Sequence, residues 1–169
     1  MVFDLGSDRG RGELVLGILR IVLGFMLIWA FLDKLLGLGM PTTPDAAMIN
    51  GGSPTEYYLS HLVNGPFEGI YSSLAGNPVL DILLMAGLLL VSAAMILGVA
   101  SRLSTVGMCV MMALMFSLEI PPDDNPFVDY HIVYILASIA IYYLGGYGAL
   151  GLGERWSELS IVKRFPILR

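Results

Sequence analysis

Apolar residues in this chain come in blocks, not in alternation. Leu14–Leu36, Val79–Ala100, Leu103–Leu118 and Ile132–Leu152 are almost wholly apolar, and polar residues crowd the segments between them. A helix rises about 1.5 Å per residue, so roughly 20 residues cover a bilayer core of about 30 Å. The third block reaches that length by running on to Ile120. Apolar spans of this length satisfy their backbone in lipid only as helices, and the period-two pattern of a membrane strand is absent. The pattern predicts helices at about 14–37, 78–100, 103–120 and 126–150. They form one all-α domain over 1–169, an integral membrane four-helix bundle. The first block carries Arg20, Asp33 and Lys34 and has no small-residue cleavage pattern after it, so it reads as a span and not as a removable signal peptide.

The loop 38–77 is long for a connection without structure of its own. Within it, Ser53-Pro54-Thr55-Glu56 has capping-box spacing, and Tyr58, Leu59, Leu62 and Val63 then share a face. Phe67, Ile70, Tyr71 and Leu74 follow helical spacing before Gly76. Two short amphipathic helices are predicted, lying over the bundle end as a lid or an interfacial layer.

Charge orients the spans. Arg9 and Arg11 precede the first, Arg102 lies between the second and third, and Arg155, Lys163, Arg164 and Arg169 follow the fourth. The loops 38–77 and 119–125 hold no Lys or Arg. The positive-inside rule therefore predicts a multi-pass cell-membrane protein with both termini cytoplasmic and those two loops outside. Asp45, Glu56, Glu68, Glu119, Asp123 and Asp124 make the outer loops acidic, which suits plain solubility or an acidic or salty exterior.

Both helices that start outside open on Asn-Pro, at Asn77-Pro78 and Asn125-Pro126, with Asp81 and Asp129 equivalently placed in the first turn. Asparagine caps, proline fits the first turn, and the helix dipole favours the carboxylate, so start signals alone explain the repeat. They do not explain His131 and Tyr134, which share a face continued by Ser138 and Tyr142. A polar stripe at membrane depth should face protein or water, and intramembrane ionisable groups point to function. Lys34, Asp33, Asp81, Glu119, Asp129 and His131 all fall near outer helix ends, so one outer cavity could gather them. Arg20, about 9 Å from the inner end by helical rise, would snorkel or pair with Tyr147 or Glu154. Buried ion pairs and aromatic belts are the alternative reading of the whole set.

Composition agrees with a lipid solvent: 56% hydrophobic and 14% charged residues, with a mean hydropathy of +0.77. Soluble domains carry about 25% charged residues. Cys109 is the single cysteine, so no internal disulfide or CxxC chemistry is available. No ligand pattern for a metal, haem, iron–sulfur cluster or flavin is visible, and nothing points to nucleic acid.

LRIVLGFMLIWAFLDKLLG, GPF at 65–67, LLMAGLLLVSAAMILGVASRLST, NPFVDYHIVY and GLGERW, taken in order, resemble the DoxX/DoxD family of four-helix membrane proteins. The resemblance picks out Arg20, Gly24, Lys34, Gly87, Gly98, Arg102, Asn125, Pro126, Asp129, His131 and Tyr134. Its DoxD branch implies the membrane subunit of a thiosulfate:quinone oxidoreductase working beside a DoxA-like subunit. That enzyme oxidises thiosulfate to tetrathionate and passes electrons to a membrane quinone. On this expectation Lys34, Asp81, Asp129, His131 and Tyr134 form the catalytic set, and Arg20, His131 and Tyr134 contact the quinone. Thiosulfate wants cations, and Lys34 stands among carboxylates, so a partner or an acidic exterior would have to relieve the repulsion. Membrane lipid and further copies of the chain are the other expected partners. Two alternatives remain: a non-catalytic DoxX-like scaffold that anchors a partner, and a small transporter or proton path needing a continuous polar route from Arg20 to Lys34.

Overall fold

Ser7 starts the first helix by accepting a hydrogen bond from Gly10 N on its hydroxyl (3.2 Å). This computed structural model describes residues 7–122 and 125–169; Asp123 and Asp124 lie outside them. Helix α1 runs Asp8–Leu36 and stops at Gly37, whose left-handed φ of 68° ends the helix with an N–H bonded to the Asp33 carbonyl. After two single 3-10 turns come α2, Glu56–His61, and α3, Glu68–Ser72. Then follow α4, Pro78–Leu97, α5, Ser101–Leu118, α6, Tyr130–Tyr143, and the short α7, Gly153–Glu158, and α8, Ser160–Arg164.

The described chain is all-helical. Three helices, α1, α4 and α5, are long and apolar enough to cross a membrane, and α6 is a shorter apolar helix. The four pack in a ring, α1 chiefly on α4 and α5 chiefly on α6. Their shared core is Leu23 and Leu27, then Met85, Leu88, Val91 and Met95, then Met108, Met112 and Ile141. Methionine fills the irregular space between the helices. Glycines set the closest approaches. A Cβ at Gly17 would lie 2.8 Å from the Ala149 side chain, and one at Gly24 would lie 2.8 Å from Ile96.

The surface is inverted relative to a water-soluble protein. Phe25, Leu90, Val106 and Leu136 are exposed, whereas Arg20 and Asp33 are fully buried. A ring of helices apolar outside and polar in places inside suits hydrocarbon surroundings.

Two boundaries differ from the expectation. The first helix begins at Asp8, a turn and a half earlier than the apolar block. The fourth begins at Tyr130 and has 14 residues, because Asp129 is its cap. The Asn125 side chain instead accepts from Phe127 N (3.0 Å) and Val128 N (3.3 Å), closing a turn before the helix. At the other end Gly145, at φ 86°, and Leu150, at φ 52°, turn the stretch 144–152 out of helix. That stretch folds back on the end of α4, where Leu152 N donates to the Leu97 carbonyl (2.8 Å).

Candidate functional site

The expected site residues sort by the two ends of the ring. The loop between α1 and α4 lies across one, the lid end; the opposite end carries the start of α1, the start of α5 and the terminal helices.

At the lid end each acid has its own partners. The Asp33 carboxylate accepts from Met40 N and Thr42 N, both at 2.9 Å, and so folds the loop back on α1. Asp81 accepts from Ser53 Oγ (2.9 Å), Thr55 N (3.0 Å) and Thr55 Oγ1 (2.7 Å), fastening the approach to α2 onto the first turn of α4. Glu119, just past α5, accepts the Tyr58 hydroxyl. Burial pushes Tyr58 above the usual tyrosine range, and the bond to Glu119 adds to the shift. Tyr71 and Ser117 hydroxyls meet at 2.6 Å, and Asn64 N donates to the Leu118 carbonyl (3.0 Å). The lid is thus clamped to α4 on one side and to α5 on the other.

Asp129 does two things at once. Its Oδ1 caps α6 through His131 N (2.9 Å) and Ile132 N (3.3 Å). Its Oδ2 lies 2.5 Å from His131 Nδ1. A carboxylate on Nδ1 selects the tautomer with the proton there and leaves Nε2 as the working nitrogen. His131 is only 4% exposed, and its Nε2 has no hydrogen-bond partner among the described residues. The Tyr130 ring lies 4.1 Å from the imidazole and 5.7 Å from that of Tyr134, centroid to centroid. Lys34 is half-buried in the last turn of α1, where the helix dipole favours a cation, and it makes no ion pair among the described residues. Asp129 and His131 are therefore joined directly, while no hydrogen bond or ion pair connects either of them to Asp81 or Lys34 among the described residues.

Arg20 stands at the opposite end and is 0% exposed. Its five N–H groups meet five main-chain carbonyls. Nε donates to Gly146 (3.1 Å), Nη1 to Met95 and to Ile96 (3.1 Å), and Nη2 to Ala149 (2.9 Å) and Leu150 (3.1 Å). The Tyr147 ring stacks beside it, 5.5 Å from the guanidinium carbon. The Met95 and Ile96 carbonyls close α4 and the other three belong to the turned stretch after α6, so the guanidinium ties α1 to both. Neither snorkelling nor Glu154 is involved; the Tyr147 contact is with the ring. No hydrogen of Arg20 is left to offer a ligand.

Sequence reasoning missed the neighbours of this knot. Tyr147 OH lies 2.6 Å from Ser104 Oγ and 3.3 Å from Thr105 Oγ1. A cavity of about 300 Å³ opens beside them, lined by Gly98, Ser101, Tyr147, Glu154, Trp156 and Arg169 among others. Ser104 and Thr105 share the buried face of α5 with Met108 and Met112, the one signal that could have marked them. Among the described residues no three His, Cys, Asp or Glu side chains group as metal ligands.

No protein-family model, no curated protein and no solved structure matches the chain.

Proposed function

We propose that the chain is the membrane-embedded subunit of a DoxX/DoxD-type assembly, a four-helix bundle that anchors and positions a partner at its outer face. Both termini are cytoplasmic in this reading, and α6 with the stretch 144–152 makes the fourth crossing. The observation that carries it is the closure of the lid-end acids. Asp33, Asp81, Glu119 and Asp129 each spend their carboxylate on a local structural tie. The lid itself is tied to α4 and α5, and a thiosulfate dianion would meet one unpaired cation, Lys34, among the described residues there.

A second reading keeps the enzyme, and the Asp129–His131 pair favours it. A quinone headgroup wants an apolar slot with a hydrogen-bonding group for its carbonyl oxygen. A buried imidazole oriented through Nδ1, with Nε2 unengaged, is such a group. In this version the chain is the quinone-facing subunit of a thiosulfate-oxidising complex, and the partner supplies the cations for the sulfur substrate.

One preparation separates the two. The complex is isolated from native membranes in mild detergent, and thiosulfate-dependent reduction of a quinone analogue is followed for wild type, His131→Ala and Tyr58→Ala. The anchoring reading expects Tyr58→Ala to release the partner and His131→Ala to leave any turnover unchanged. Loss of turnover in an intact His131→Ala complex overturns it in favour of the quinone reading.

A further inference from the structure

The inward face of α6 carries four polar side chains beside the core residues Ile135 and Ile141. His131 and Ser138 are buried, at 4% and 0% exposure, and Tyr134 and Tyr142 pack on the core. The outward face carries Val133, Leu136 and Tyr143, all exposed. Hydrogen bonding along this stripe is incomplete. A helical serine ordinarily returns its hydroxyl to a carbonyl three or four residues back. Ser92 does so to Leu89 (3.0 Å) and Ser104 to Ala100 (3.1 Å). Ser138 does not: among the described residues its Oγ is the buried side-chain polar atom with no partner. Leaving a buried hydroxyl unpaired costs about 1–3 kcal/mol, and an unseen water is the usual remedy. His131 Nε2, two turns away on the same face, makes no hydrogen bond among the described residues.

We propose that this stripe is a proton path, in which His131, Tyr134, Ser138 and Tyr142, bridged by water, connect the lid end to the opposite end. Successive hydroxyl-bearing positions are four residues apart, about 6 Å along the axis. These positions make no direct hydrogen bond to one another among the described residues, so the path places water between them. At the lid end the neutral imidazole takes a proton on Nε2, and the imidazolium is stabilised by Asp129 at Nδ1. The proton leaves again from Nε2, and each hydroxyl or water accepts one proton as it gives up another. The net transfer is one positive charge with no group left altered. At the far end the Tyr142 hydroxyl accepts from Arg102 Nε (3.3 Å). Arg102 is exposed, so the stripe reaches the surface of the bundle at this end. The path depends on α6 crossing the membrane, not on which partner or quinone reading holds. It also differs from a route between Arg20 and Lys34, since Arg20 is fully engaged by carbonyls.

The test uses the full chain in vesicles that enclose a pH-sensitive dye, with a potassium gradient and valinomycin to balance the charge. Wild type is expected to change the internal pH faster than protein-free vesicles. Ser138→Ala, Tyr134→Phe and His131→Gln are expected to lose that excess, while Leu136→Ala on the outward face keeps it. Variants are compared only when they elute from detergent as wild type does, and Tyr134→Phe removes a single oxygen in case the other two misfold. Wild-type flux equal to that of protein-free vesicles overturns the path. So does undiminished flux in the folded stripe variants.

Discussion

Arg20 shows how much one side chain can hold. Arg20→Lys preserves the charge and presents three hydrogens to five carbonyls, leaving two unpaired at about 1–3 kcal/mol each. Thermal unfolding in detergent should record a clear loss of stability, and Arg20→Ala should yield no monodisperse protein. Gly12 supplies the opposite case. A Cβ there would meet nothing within 4 Å, so Gly12→Ala should stabilise by up to about 1 kcal/mol through helix propensity. Gly17→Val, which strikes Ala149, should destabilise in the same measurement. What the sequence disclosed at this scale was local. Asn77 was readable as a cap because its target, Val79 N, is two residues on, and Asp129 beside His131 is equally close. Arg20 was visible as an oddity but its role was not, because Met95 and Ala149 lie 75 and 129 positions away.

Among elements, the lid is the part most open to selective disturbance. Tyr58→Phe removes the bond to Glu119 while leaving the ring in place. Hydrogen exchange should rise in 56–72 and stay unchanged in α4. The same group sets an alkaline limit. Its folded pKa lies above the unfolded value of about 10. Its contribution is therefore complete below about pH 10 and is lost as pH climbs through the folded value. A tyrosinate titration should show a late-ionising tyrosine that disappears in Tyr58→Phe. Periodicity located α2 and α3, and Ser53 Oγ accepts from Glu56 N (3.1 Å) as the capping box anticipates. It overran at the fourth helix, because the turned stretch 144–152 is as apolar as the helix before it. The glycines at 145 and 146 were the available clue, and an apolar count passes over them.

For the whole molecule, the exposed apolar side chains and the buried charges both suit lipid surroundings. The chain should stay in the pellet after alkaline carbonate extraction of membranes. With Cys109 replaced by serine, a single cysteine at Ser160 should be labelled only from the cytoplasmic side. A cysteine at Ser60 should be labelled only from outside. Labelling of both from the same side would break the assigned orientation. Hydropathy located the long apolar helices without any contact information, and Arg placement supplied the proposed orientation. How the lid-end charges are shared out could not be read from them, since Asp81 finds Thr55 and Glu119 finds Tyr58 through the folded loop.

The carbonyls left open after α6 bind the histories of two distant parts of the chain. A relative in which Gly145 and Gly146 had become ordinary helix formers would close those carbonyls on itself and strand a buried guanidinium. A relative that lost the arginine first would inherit unpaired peptide carbonyls inside the bundle. Neither change is viable alone, so the arginine and the broken helix should be kept together or surrendered together.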